Sequence, residues 1–478
     1  MELPLVMGLA GGRDAREAHW PGLEEAVGAL AADLRARFPA APWIVSTAGV
    51  SELERRAARA CEKAGLRVVP SAPGDGASRL AEDSHLFVTV GHDTALDLLA
   101  SVRLSPTATA STTGSLDPPA QGPVVRLGRA DAGWTSTWES PAAGASSSRS
   151  SRKGPAYEKM WRRVEAFNAD ARGEIPAAGT SLLPEDESPT LPADLIAFDG
   201  SYRVADALAR RFQRRSQRAL GTLLVLAILA TFLLQAGTFT GARKIVSGSL
   251  YVACLAGAWA VFLVAKKRDL RTKYLDYRAL AEGLRVQFFW RLAALPASAA
   301  DHYLRKQRSE LDWIRHALRA VELLNPPAGE PARMPAARAH WLESEARYFG
   351  AAARGHDAKD RRVRRISAVL FVIALALAFL KPFLDTAHPL VILVGLFPLT
   401  AAFVKWWSER RAFGPLAHQY ERMATLFGAA ARQAGLALEK DRLEDVRAVL
   451  FEAGREALAE NGDWVLLHRE RPVRVPGV

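Results

Sequence analysis

The chain has 478 residues, a formal net charge of +12 at pH 7, and 49% apolar against 24% charged residues. That length suits about three domains. The charge alone would suit nucleic acid, but the cations gather beside long apolar runs, where a membrane surface accounts for them, and no basic stretch is interleaved with aromatics as a single-strand binder needs. Only two cysteines occur, Cys61 and Cys254, which excludes a disulfide framework and fits a reducing cytosol.

The N-terminal stretch MELPLVMGLAGGRD has no cationic segment followed by an apolar one, so no cleaved signal peptide is expected and the first span directs insertion. Residues 1–139 read as a soluble α/β unit. Strands are expected at Leu5–Met7, Trp43–Ser46, Leu66–Pro70, Leu86–Val90 and Pro123–Leu127. Helices are expected from about Gly22 to Phe38, over Ser51–Ala64 with Gly65 as its C-cap, and through Asp97–Val102. Strands alternating with helices imply a parallel sheet covered on both faces, with ligands at the carboxyl ends of the strands.

Residues 140–195 change character. The tract Ser146–Lys153 is polar and basic, and Pro184–Pro189 is acidic and proline-flanked. This composition reads as a linker, within which a helix around Tyr157–Ala169, with Trp161, Val164 and Phe167 on one face, is suited to docking on the first domain.

Two charge-free runs follow, Leu220–Ala236 and Ile245–Ala265. As helices they reach about 25 and 32 Å, enough for a hydrocarbon core of about 30 Å. Cations flank both outer ends, from Arg203 to Arg218 and from Lys266 to Lys273, whereas the turn between carries only Arg243 and Lys244. The positive-inside rule keeps both ends cytoplasmic. Beyond the hairpin, Tyr277, Ala281, Leu284, Phe288 and Leu295 recur at helical spacing. Ser298 caps a further helix whose Leu304, Leu311, Ile314, Leu318 and Val321 form a seam suited to another helix, to a copy of itself, or to a local bundle.

The pattern then repeats. Ile366–Leu380 and Pro389–Val404 are two more charge-free runs, shorter than the first pair and flanked by Arg361–Arg365 and by Lys405, Arg410 and Arg411. Tyr202 and Tyr348 each stand 18 residues before the start of their apolar run, and Tyr277-Arg278-Ala279-Leu280 echoes Tyr420-Glu421-Arg422-Met423. A duplicated unit of helix, hairpin and long cytosolic helix is expected, in segments 196–325 and 326–478. The tail after a helix at Leu443–Ala459, Gly462–Arg469, reads as a short strand.

Small-molecule chemistry points to the glycine-rich turn Gly8-Leu9-Ala10-Gly11-Gly12-Arg13. Glycines after a strand let backbone N–H groups approach a phosphate, the next helix offers its positive end, and Arg13 can pair with the anion. Ser46, Thr47 and Gly49 after the second strand, and Gly91, His92 and Asp93 after the fourth, face the same crevice; Thr112–Gly114 is a further contributor. On the second span, Ser249, Ala253 and Gly257 form a small-residue face that permits close helix packing. The ten histidines show no metal-ligand spacing, and no catalytic constellation, metal or cofactor is expected.

The stretches Gly8–Arg13, Ile44–Gly49 and Gly65–Val69 resemble the SLOG superfamily, Rossmann-like domains that sense or process nucleotides and nucleotide-derived messengers. The basic-flanked hairpins, Tyr277-Arg278-Ala279-Leu280-Ala281-Glu282, and Asn461–Arg469 resemble the SLATT two-helix membrane effectors, which partner SLOG domains in bacterial conflict systems. The resemblance implies a Rossmann-like sensor fused to an all-α region with four transmembrane helices in two hairpins and long cytosolic helices. It implies a homo-oligomer in the bacterial inner membrane that opens a pore on binding a nucleotide or cyclic-nucleotide messenger, with both termini cytoplasmic and no nucleic-acid partner. Ser51-Glu52-Leu53-Glu54 departs from the family's pattern after the second strand, and a late Gly-Gly-Thr is missing, which favours sensing over turnover. A membrane-anchored nucleotide-processing enzyme and a ligand-free, partner-binding protein are the alternatives.

Overall fold

The computed structural model describes residues 2–11, 23–47, 52–70, 86–90, 124–130, 133–139, 156–172, 180–184, 187, 190–237, 244–304, 311–327, 332–383 and 390–469. These are mostly helical, with one sheet near the N-terminus. Six strands form it: β1 (Leu5–Gly11), β2 (Trp43–Thr47), β3 (Arg67–Pro70), β4 (Leu86–Val90), β5 (Val124–Ala130) and β6 (Gly133–Glu139). Their order is β3-β2-β1-β4-β5-β6. All neighbours are parallel except β5 and β6, which form an antiparallel hairpin. The strand β6 corrects the sequence reading, which ended the sheet at Leu127. Its Trp134, Thr135, Thr137 and Trp138 are strand-forming residues, and its register against β5 pairs Val124 with Glu139.

Leu5, Met7 and Leu9 of β1 join one core with Trp43 and Val45 of β2, with α1 (Leu23–Arg37) and with α2 (Glu52–Lys63). Gly65, at φ +76°, ends α2 in the left-handed conformation that glycine adopts without a Cβ penalty. The alternate residues of β1 and β2, Val6 and Ile44, point the other way. They pack against Ala320, Leu323 and Leu324, which belong to a helix far along the chain.

The predicted docking helix is α3 (Ala156–Arg172). Trp161, Val164 and Phe167 are buried. The Trp161 ring meets Phe38 and Trp43 edge-on, with centroids 5.2 and 5.3 Å away. Asn168 clamps the start of β1: its Oδ1 accepts from the Leu3 N–H and its Nδ2 donates to the Leu3 carbonyl, both at 2.8 Å. Phe167 turns to the opposite side and meets Tyr277, so α3 joins the sheet to the helical region.

That region is built from α4 (Ala193–Gly237), α5 (Lys244–Lys267), α6 (Leu270–Leu292), the short α7 (Ala299–His302), α8 (Asp312–Leu324), α9 (Met334–Leu380, with a π-turn over Arg338–Glu343), α10 (Leu390–Arg411), α11 (Phe413–Glu439) and α12 (Leu443–Arg469). Three stretches, Ala193–Ala236, Ile245–Leu292 and Met334–Leu380, contain an apolar window long enough to cross a membrane, and at most 6% of any such window is buried inside the protein. Val225, Ile245, Val369 and Phe379 stand well exposed on these windows. Apolar surface bared to this extent calls for lipid rather than water. The fourth apolar run lies in α10, which contains Pro398.

The two helical units share a plan. In each, a long helix rises (α4, α9), a shorter one returns (α5, α10), and the chain breaks at one left-handed residue before a further helix (α6, α11). The breaking residues are Asp269, at φ 49° and ψ 37°, and Ala412, at φ 51° and ψ 39°. Each stands eight residues before a matching tyrosine, Tyr277 or Tyr420.

Two expectations fail here. The seam from Leu304 to Val321 is not one helix: Ser298 caps only α7, accepting from the Ala300 N–H, and the chain turns at Leu304, φ 52°. Leu311, Ile314, Leu318 and Val321 are buried in the common core rather than left for a second copy. Residues Gly462–Arg469 are not a strand but the last turns of α12, because Trp464 and Val465 face α6 from a helix already formed.

Candidate functional site

Of the sequence-predicted ligand residues that the structure describes, Gly11, Ser46 and Thr47 stand at the carboxyl ends of their strands. Gly8 is not in a turn: it lies within β1, paired with Ser46 on one side and Phe87 on the other. Pairing on both flanks keeps the backbone extended to Gly11, overriding the weak strand preference of glycine in a central strand. Gly11 is the last residue of β1 and is in register with Val90, the last of β4. The strand order reverses between β1 and β4, and crevices at such reversals are where open α/β sheets bind ligands.

Ser46 and Thr47 end β2. Thr47 Oγ1 donates to Glu54 Oε1 of α2 at 2.5 Å. Ser46 is buried, and its Oγ has no hydrogen-bond partner among the described residues. An orphaned buried hydroxyl at a strand end is an unmet demand that a ligand or water would answer. Gly12, Arg13, Gly49, Gly91, His92, Asp93 and Thr112–Gly114 lie outside the described residues.

The small-residue stripe expected to pack against a neighbouring helix divides. Gly257 faces α4, where an added Cβ would stand 3.8 Å from Leu226 Cδ1, but Ser249 and Ala253 are exposed. Cys254, outside the stripe, is the buried residue of α5 among those described. The four-residue spacing drew a straighter line than the crossing of the two helices follows.

The sequence did not reveal a second feature, a polar cavity of about 760 Å³ inside the helical region. Both units build it: Tyr202 of α4 and Tyr348 of α9 line it, as do Tyr274 of α6 and Tyr420 of α11. Its charges balance, with Arg210, Arg214, Arg278 and Arg285 against Asp206, Glu282, Glu345 and Glu460. Arg285 bonds Glu282 at 2.5 Å and Glu345 at 2.7 Å, and Arg278 bonds Asp206 at 3.1 Å. Glu460 of α12 accepts from Gln419 at 2.8 Å. Burial, reinforced by the nearby Glu282 carboxylate and opposed by Arg278 and Arg285, pushes the Glu460 carboxyl up to about 7. Arg278, Glu282 and Arg285 share one helix face, a spacing that in sequence reads equally as a solvated surface.

Compared with protein-family models, with curated proteins and with solved structures, the chain matches none. Its function is therefore argued from its own geometry.

One carboxylate joins α3, α8 and α12 to α6. Asp276 of α6 accepts from Arg163 of α3, from Arg469 of α12 and, at 3.3 Å, from Trp313 Nε1 of α8. Beside it, Asp170 of α3 accepts from Lys273 and from the Tyr277 hydroxyl, both at 2.7 Å. Among the described residues no cluster of His, Cys, Asp and Glu is placed to hold a metal ion.

Proposed function

We propose that the chain is a ligand-gated membrane effector: residues 1–139 bind a nucleotide-derived messenger at the β1/β4 edge, and the helical units respond within the bilayer. One observation carries this reading, the single buried core that runs from β1 through α3, α6 and α8 to α4 and α12. A sensor and a membrane segment that share a core cannot shift independently. The long helix α4 is the direct line: Leu195, Phe198, Ala205 and Leu208 are buried in that core, and the same helix continues into the exposed apolar run at Leu220.

On this reading α10 is a fourth span, the spans form two hairpins, and residues 140–195 connect sensor to effector. The cationic flanks hold both termini in the cytoplasm of a bacterial cell. Protomers assemble as a homo-oligomer, and ligand binding shifts them to an arrangement that opens a pore in the inner membrane, as the SLOG and SLATT resemblance implies. The ligand must bind the open arrangement more tightly than the closed one for any shift to follow. The orphaned Ser46 hydroxyl and the strand reversal support the site, and the spans' exposed apolar windows support the membrane assignment.

The test is the full chain reconstituted in liposomes loaded with a fluorescent dye, challenged with a panel of mono-, di- and cyclic nucleotides. Leak with one member of the panel, lost in Arg13→Ala, is expected. No leak with any member overturns the pore.

A further inference from the structure

A second cavity, about 420 Å³, lies against the first and shares its wall of Tyr274, Tyr348 and Tyr420. Its lining is opposite in character. Arg271, Lys359 and Arg411 line it, with His356 and His468, and no carboxylate does. Each cation comes from a different helix: Arg271 from α6, Lys359 from α9, Arg411 from the end of α10.

Two nitrogens in it are unspent. Arg411 Nε and His356 Nδ1 are both buried with no hydrogen-bond partner among the described residues. Arg411 rests on the rings of Trp407 and Phe413, with 5.1 and 5.7 Å to their centroids, and no carboxylate pairs with it or with Lys359 among the described residues. Three cations facing one space, with the buried Arg411 Nε–H left over, repel one another until an anion enters. By contrast Arg271 is already engaged, donating to the His468 carbonyl at the end of α12.

The cavity also sits at a defined depth. Arg271, Lys359 and Arg411 each lie six or seven residues from the nearest apolar run, at most about 10 Å along a helical path, which is the outer margin of a headgroup layer roughly 5–8 Å deep. Its other edge is Leu220, the first residue of the first apolar run, so an acyl chain can pass from the cavity into the bilayer. We propose that this cavity binds a phosphate group, that of an anionic lipid headgroup entering from the cytoplasmic leaflet. The Arg411 fork and the Lys359 point charge suit tetrahedral phosphate oxygens, and occupancy would tie α6, α9 and α10 together at the membrane surface. The inference does not depend on nucleotide sensing; it rests on the membrane orientation proposed above.

The test uses the full chain in neutral detergent, with thermal unfolding followed as phosphatidylglycerol, phosphatidylcholine or inorganic phosphate is added. Phosphatidylglycerol should give a saturable rise in Tm that phosphatidylcholine does not. Lys359→Gln with Arg411→Gln should weaken half-saturation about thirtyfold, and the exposed Lys359→Gln alone, which leaves every packed side chain in place, about fivefold. Arg362→Gln with Arg365→Gln removes the same charge from exposed positions on α9 that do not line the cavity, and should change it by less than about twofold. Equal rises with both lipids, or equal losses in the two double variants, overturn the site. An equal rise with inorganic phosphate at matched concentration overturns the lipid as the source.

Discussion

Asp276 holds three helices to α6 with one carboxyl group. Its neighbours Arg163 and Arg469 both direct guanidinium groups at it, and it is itself 2% exposed. Breaking a buried pair on one side costs more than the pair contributes, because the remaining charge keeps its desolvation penalty. Asp276→Asn should therefore lower stability by about 3 kcal/mol, read as a fall in denaturant midpoint in detergent. Glu460 makes a pH-dependent case. Its folded pKa stands near 7 against an ordinary 4.5, so the folded state holds a proton that the unfolded state releases. Its contribution is intact below about pH 4.5 and is lost as pH rises through about 7. Glu460→Gln should flatten the stability profile between about pH 5 and 8 and leave the variant more stable than the parent at the alkaline end. A profile of unchanged slope would show that Glu460 stays ionised in the folded chain.

Among the elements, α8 has a role that no local pattern announced. Its Ile314, Leu318 and Val321 are buried in the helical core, while Ala320 faces Val6 and Ile44 of the sheet. Ala320→Glu would force a carboxylate against the apolar Val6 and Ile44, and ionised groups are not left so. The expected outcome is a sheet cut early by protease while α4 to α6 resist, read from fragment masses after limited digestion. Equal protection would mean that the contact contributes little. The sequence made the strands and the apolar runs legible because their signals are local: alternation or continuity over a few residues, and long runs without charge. It hid what depends on distant partners. The cover of β1 comes from residues more than three hundred positions later. Trp464–Leu467 looks like a strand because a short apolar run has no period of its own. At the sheet edge, Ser46 and Thr47 were legible as strand-end residues, whereas Gly8 was misplaced because two neighbouring strands, not its own preference, fix its backbone.

Taken whole, the molecule is two repeats of one plan pressed against a sheet, and the buried charges lie where the repeats meet. Arg285 of α6 reaches Glu345 of α9 across that junction, and Tyr274 and Tyr420 face the same two cavities. Tyr202 and Tyr348, each 18 residues before its apolar run, line the larger cavity together, as the duplication expected from the sequence would place them. The proposed topology makes a prediction at this scale. In intact cells, a cysteine-reactive probe that cannot cross membranes should label a single cysteine placed at Thr238, in the turn between the first two apolar runs, and should not label one placed at Lys440. Labelling at Lys440 would turn the assignment inside out.

The seating of Ala320 against Val6 and Ile44 has a practical consequence. An excised N-terminal piece ending at residue 139 would carry one bare, greasy side with its natural lid left behind. Clumping of that fragment, or poor uptake of small molecules by it, would then report the amputation rather than the affinity of the sheet edge. Ligand screens belong on chains that keep at least the residues through Leu324.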